Sequence, residues 1–144
     1  MFKGLADETA LGRSATGSMP GGVARYIERN ESDIVVVDPF SGEVKKKVHN
    51  PYPNRSAALT TAGGLLFTGL VDGSFAAYDD TSLEQLWEIN VGAGFNAPPM
   101  TFEAGGRQYV AILTGLGRNA KAALVNTPEL REMRSQTMLF VFGL

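Results

Sequence analysis

The chain contains no cysteine. Disulfides, thiolate metal sites and cysteine nucleophiles are therefore excluded, and cysteine usage leaves the redox compartment open. His49 is the only histidine, and no second metal-ligand type sits at ligand spacing beside it. It reads as a surface or capping residue, not as a base or a metal ligand. Charge is also scarce: a formal net charge of −2 argues against nucleic acid or an anionic membrane recognised by bulk charge. No apolar run approaches the roughly 18 residues of a membrane-spanning helix. The opening MFKGLADETALGRSATG has no apolar core of the kind a secretory leader needs, so none is expected in this chain. Neither G-x-G-x-x-G opening a helix nor G-x-x-x-x-G-K-[ST] occurs, so nucleotide binding has no support.

What the chain does have is glycine and short apolar runs. Its 144 residues suit one domain, 44% apolar content permits a packed core, and 17 glycines supply many turns. Between Thr61 and Leu113 the apolar runs are Leu65–Thr68, Ser74–Tyr78, Gln85–Ile89, Pro99–Phe102 and Gln108–Leu113. Turn chemistry separates them: Val71-Asp72-Gly73, Asp79-Asp80-Thr81-Ser82, Gly92-Ala93-Gly94 and Ala104-Gly105-Gly106. Short strands at regular spacing with turns between them predict an all-β fold, and no 3.6-residue period competes.

An earlier segment repeats this pattern. Asp33–Asp38 reads as a strand ending in aspartate, Pro39-Phe40-Ser41-Gly42 as a turn, and Glu43–Val48 as a second strand. Asp38 falls on Asp79, Ser41 on Ser82, Glu43 on Glu84 and Lys46 on Trp87, a constant offset of 41 residues. A period of about 40–45 residues with four strands per unit is that of a propeller blade, which must stack on neighbours to bury its faces. At a strand end, an aspartate accepts backbone N–H bonds from two or three residues on, so Asp38 and Asp79 read as turn builders. Residues 1–22 read as a loop lying over other structure or a frayed end, residues 23–144 as the propeller segment, Thr127–Ser135 as a short helix and Thr137–Phe142 as a last strand buried between layers. Prolines mark residues 49–60 as a loop.

The segment Ala77-Tyr78-Asp79-Asp80-Thr81-Ser82-Leu83-Glu84-Gln85-Leu86-Trp87 resembles the tryptophan-docking repeat of the PQQ-dependent dehydrogenases, roughly A-x-D-x-x-T-G-x-x-x-W. The flanks agree: Thr61–Gly69 before it, Gly92–Pro99 and Gly106–Ala111 after it. Together these segments are similar to the carboxy-terminal part of quinoprotein alcohol dehydrogenases, such as the methanol and ethanol enzymes. The resemblance implies about two to three four-stranded blades of an eight-bladed propeller. It implies that Trp87 packs between blades, a contact that Lys46 cannot make in the first repeat.

It also implies a cofactor rim. Where the family usually reads W-N-G-G-T-L, with its asparagine reaching the cofactor, this chain has Asn54-Arg55-Ser56-Ala57. A guanidinium at Arg55 suits a carboxylate or quinone oxygen of PQQ. Thr114-Gly115-Leu116-Gly117-Arg118 resembles the family's G-x-G-G loop, with Arg118 in the last glycine position. The cofactor-binding candidates are therefore Asn54, Arg55, Gly115 and Gly117. No catalytic residue or metal ligand is assigned: there is no Ser/His/Asp arrangement and no converging carboxylate pair, and the family's base and Ca2+ or lanthanide ligands lie in earlier blades. By resemblance the complete enzyme is a periplasmic oxidoreductase. It oxidises a primary alcohol to an aldehyde and passes electrons from reduced PQQ to a cytochrome c, and this fragment is not active alone. The alternative reading is a non-enzymatic propeller-repeat binding or assembly module. Either way an incomplete ring leaves open faces, so the chain is expected to be marginal alone, to self-associate, or to pack on the rest of a propeller.

Overall fold

The computed structural model describes residues 31–117, 124, 127–130, 133 and 136–144. The expected lead-in over 1–22, the start of the first repeat, Arg118 and much of the expected helix lie outside the described residues. Among the described residues nine strands form three antiparallel sheets. The first holds β1 (Ser32–Val37) and β2 (Val44–Asn50). The second holds β3 (Leu59–Thr60), β4 (Leu65–Gly69), β5 (Ser74–Asp79) and β6 (Gln85–Asn90), in that order. The third holds β7 (Met100–Ala104), β8 (Arg107–Leu113) and β9 (Leu139–Gly143). This is a partial β-propeller: one four-stranded blade between two blades of fewer strands.

The offset of 41 residues holds in the pairing itself. Ile34 faces Val48 as Phe75 faces Ile89, and Val36 faces Lys46 as Ala77 faces Trp87. Both hairpins slip register at the same place, between Val36 and Val37 and between Ala77 and Tyr78. The turns agree atom for atom. Asp38 Oδ1 accepts the N–H groups of Phe40 and Ser41 at 2.9 and 3.1 Å. Asp79 Oδ1 accepts those of Thr81 and Ser82 at 3.0 and 2.7 Å. Each aspartate thus works as the turn builder its position suggests. One difference stands out: Gly42 takes a φ of 73°, and its counterpart Leu83 takes 57°. That is the left-handed region, costly for leucine by roughly 1–2 kcal/mol. Leu83 is held there because its side chain is buried in the joint between the first two sheets, with Ile34, Leu66, Ala76 and Tyr78.

Strand alternation assigns the faces of the middle sheet. Leu66, Ala76 and Tyr78 point to the first sheet; Phe67, Phe75 and Ala77 point to the third, against Phe95, Val110 and Ile112. This explains why β5 is buried on both faces, and why the paired alanines at its centre let neighbouring sheets close in. Trp87 remains 40% exposed on β6, the outer edge, but its ring meets Phe142 of the third sheet edge-on at 5.4 Å. Lys46 at the equivalent place has no such ring contact.

Three expectations need correction. Residues 49–60 are not all loop: β2 runs through Asn50, and Leu59–Thr60 pair with Phe67 and Leu66. The last strand is not sandwiched, since Phe140 and Phe142 pack inward while Leu139 and Val141 are 56% and 49% exposed. Its residues are apolar on both sides, so period alone could not show that only one side is covered. Of the expected helix the described residues show a 3-10 turn, Pro128–Leu130, closed by an i to i+3 bond from Leu130 N–H to the Thr127 carbonyl.

The Asp38 turn makes a pH prediction. The Lys45 ammonium at 2.6 Å, then the Ser41 and Phe40 amides, lower its carboxyl from 3.8 to about 2. A carboxyl lowered on folding stabilises the fold fully above its unfolded value, and that contribution is lost as pH falls towards the folded value. Urea midpoints should therefore fall between about pH 4 and about pH 2, and Asp38→Asn should show a shallower fall over that window. Asp33 and Asp79 are lowered too, so a residual slope should persist in the variant.

Candidate functional site

Antiparallel order sorts the connections by end. The tight turns at Asp38–Glu43, Thr61–Gly64, Asp79–Glu84 and Ala104–Gly106 share one end of the stack. The connections over 51–58, 70–73, 91–99 and 114–138 share the other. Asn54, Arg55, Gly115 and Gly117 all belong to this second, long-loop end. Binding sites gather on such loops because a rigid scaffold can hold them without constraining their sequence.

The loops are tied to the sheets and to one another. Asn54 Nδ2 donates to Thr68 Oγ1 at 3.1 Å, and that buried hydroxyl donates to the Ala57 carbonyl at 3.3 Å. Ser56 Oγ donates to the Ala97 carbonyl at 2.7 Å, joining this loop to the one that enters the third sheet. That second loop is held by the Phe95 N–H on the Leu70 carbonyl at 3.0 Å and by a bridge between Phe95 and Thr114. Gly115 N–H then donates to the Gly94 carbonyl at 2.9 Å. Beneath these loops Val71, Leu116, Leu124 and Leu130 form an apolar floor, with Tyr52 and Met133 packed on it.

Two glycines make this convergence possible. A Cβ on Gly94 would fall on the Val71 carbonyl oxygen and on both Leu116 methyls. A Cβ on Gly69 would lie 2.6 Å from Phe95. Gly115 has a φ of 133°, outside the range of ordinary side chains, and is backed by Thr137 Oγ1. Gly117 faces Asn96, whose Nδ2 would lie 3.9 Å from an added Cβ.

The expected site residues differ in what they leave free. Asn54 has its amide nitrogen engaged by Thr68, while its Oδ1 is buried without a partner. Arg55 is exposed and makes no hydrogen bond or ion pair among the described residues. It is a cation held on a fixed loop with its donors open. His49 stands apart on the outer face of the first sheet, with Nδ1 3.0 Å from Asp33. Among the described residues no group of three or more histidine, aspartate or glutamate side chains could hold a metal. Thr68, Ser56 and Asn96 were not legible as site residues. Each is a common surface type whose role depends on a partner at least 11 positions away or on another loop.

Comparison with known proteins agrees with the β-propeller fold. The family model described as glucose/ethanol/alcohol dehydrogenase, β-propeller domain (PQQ) matches residues 29–110. The quinohemoprotein alcohol dehydrogenase ADH IIB of Pseudomonas putida is 35% identical over 141 residues, covering 96% of this chain and 19% of that protein. The quinoprotein ethanol dehydrogenase of Pseudomonas aeruginosa is 36% identical over 95 residues, 66% of this chain and 15% of that one. Among solved structures, a europium-containing methanol dehydrogenase superposes with a TM-score of 0.70 at 28% identity, covering 78% of this chain and 23% of that one. The quinohemoprotein alcohol dehydrogenase of Comamonas testosteroni gives 0.65 at 28% identity, covering 78% and 16%. The chain thus spans less than a quarter of the length of each of these relatives.

Proposed function

Because the chain belongs to the PQQ-dependent glucose/ethanol/alcohol dehydrogenase β-propeller family, we propose that it forms a carboxy-terminal segment of such an enzyme and supplies part of the cofactor rim. The observation that carries this reading is Arg55: an exposed, unpaired guanidinium on a loop braced by Asn54 and Ser56, at the end where the glycine loop also lies. PQQ is a planar quinone bearing three carboxylates, and a free guanidinium fits such a group through paired N–H bonds. When bound, PQQ accepts the two electrons removed from the alcohol.

This chain's own residues have supporting roles. Thr68 fixes the Asn54 amide, so the loop presents Arg55 from a fixed base. Gly115 and Gly117 add no side chain of their own to the loop at the same end of the stack. Proton removal and metal binding belong to residues of other blades, with Ca2+ or a lanthanide as the metal; the europium-containing relative supports the lanthanide option. The complete protein would work in the periplasm, oxidising a primary alcohol to an aldehyde and handing electrons to a cytochrome c. The quinohemoprotein relatives support a haem acceptor.

The test is a fluorescence titration of PQQ against the chain and its Arg55→Ala variant. Loss of a charge-assisted hydrogen bond, about 1.5–3 kcal/mol, should weaken binding by roughly 10- to 100-fold. Arg55→Lys should retain part of it. Equal affinity of the wild type and Arg55→Ala, or no binding by either, would sink the assignment. A second reading, a propeller-repeat binding or assembly module without cofactor, is favoured by one fact. The Asn54 amide nitrogen is spent on Thr68 of β4, and the Ser56 hydroxyl on the Ala97 carbonyl of the next loop. A wild type that ignores PQQ altogether would favour that module.

A further inference from the structure

Three loops join at the long-loop end, and Asn96 lies on the middle one. We infer that Asn96 is a further cofactor-binding residue, its carboxamide donating to an oxygen of PQQ as a second polar contact beside the Arg55 guanidinium. The inference rests on the proposed cofactor rim and adds to it a group from another loop.

The loop over 91–99 is fixed from both sides of Asn96. On one side Ser56 Oγ donates to the Ala97 carbonyl at 2.7 Å. Arg55 and Asn96 are therefore the residues that precede the two ends of one short bond. On the other side Phe95 is fully buried, bridges to Thr114 and donates its N–H to the Leu70 carbonyl at 3.0 Å. Asn96 thus stands between two anchored neighbours, and its backbone position is set by both. The glycine loop approaches the side chain itself: a Cβ on Gly117 would lie 3.9 Å from Asn96 Nδ2.

Nothing in the fold uses that side chain. Asn96 is exposed, and its carboxamide makes no hydrogen bond among the described residues. Other asparagines work for the structure. Asn54 donates to Thr68, while Asn90 donates to the Asp72 carbonyl and accepts the Gly92 N–H. A carboxamide with two N–H donors free, on a loop already held by its neighbours, is available to a ligand. Carboxylate and quinone oxygens only accept hydrogen bonds, so a planar quinone with carboxylates suits such a donor. Arg55 supplies the charge and Asn96 a directed, uncharged contact. The Ser56 bond ties the two loops together beforehand, so binding need not first order one against the other.

The test is a fluorescence titration of PQQ against the full chain and its variants. Asn96→Ala should weaken binding by roughly 10-fold, the effect of losing a hydrogen bond to a charged acceptor. Asn96→Gln keeps the amide on a longer stem and should recover part of the loss. Asn96→Asp should bind more weakly than Asn96→Ala, because its carboxylate repels those of the cofactor. Asn96 is uncharged, so Asn96→Ala should keep the salt dependence of the wild type, whereas Arg55→Ala should flatten it. All three Asn96 variants should melt with the wild type, since the side chain is exposed and unbonded. Wild-type affinity in Asn96→Ala, beside a weakened Arg55→Ala, would overturn the inference and leave the Arg55 assignment standing. A weakened Asn96→Ala with a flattened salt dependence would also overturn it, since the substitution would then act by displacing Arg55. A wild type that does not bind PQQ would overturn both.

Discussion

Phe75→Ala should destabilise the chain by about 3–5 kcal/mol, a large share of the roughly 5–15 kcal/mol available to a domain. Phe75 is fully buried, and four other rings surround it: Phe67, Trp87 and Phe95 at 5.9 Å and Phe142 at 5.2 Å. Those rings come from three strands and a loop of two sheets, each held by its own backbone pairing. They cannot collapse together into the space a phenyl leaves, so the cavity persists and its lining loses contacts. Urea unfolding followed by circular dichroism measures the loss, and Trp87 fluorescence reports the joint between the sheets. Phe102→Ala is the control. Phe102 is 42% exposed and stacks on Tyr109 alone, so its removal should have a much smaller effect. Comparable losses in the two variants would show that the Phe75 cluster does not hold the second and third sheets together.

Gly94→Ala should have the next largest effect, a loss of roughly 1–3 kcal/mol or more from a single added methyl group. The methyl would occupy the place of the Val71 carbonyl oxygen, a backbone atom with no rotamer to escape into. Relief requires the 91–99 loop to move off the β4–β5 turn, and the Gly115 N–H bond to the Gly94 carbonyl would move with it. The variant should therefore also weaken the PQQ interaction proposed for this end of the stack. Gly63→Ala is the matched control. It has no positive φ, and its nearest neighbour is Thr61 Oγ1 at 3.8 Å, an ordinary contact. There the smaller entropy of the unfolded chain should leave stability unchanged or slightly raised, by about 0.4–1 kcal/mol. Thermal melts of the two variants side by side give the answer. Equal melting temperatures would mean that the loop yields freely, and that Gly94 is not required for the convergence of the site.

Local chemistry made much of this fold legible. Asp38 and Asp79 close their turns with amides only two and three residues on, an interaction complete within one short stretch of chain. Alternation over Leu65–Thr68 and Ser74–Tyr78 marks strands because a pleated backbone sends successive side chains to opposite sides. β3 escaped notice because two residues are too few to show a period, and the nearby prolines dominate their surroundings. Leu83 in a left-handed conformation escaped for another reason: besides its turn bond to the Asp79 carbonyl, buried partners from other strands hold it there.

The candidate site divides along the same line. The loops that carry Asn54, Arg55, Gly115 and Gly117 could be named from residues standing next to one another. That the asparagine amide is taken by Thr68, leaving Arg55 as the open cation, depends on a bond across 14 positions. The meeting of Trp87 with Phe142, 55 positions on, depends on the stacking of whole sheets. By itself the sequence located eight of the nine strands among the described residues, the turn chemistry and the 41-residue repeat, because each rests on backbone preferences acting over a few residues. Only the tertiary structure decided which faces are covered, which polar atoms are spent and which remain free, because contacts between distant segments follow from how the sheets pack.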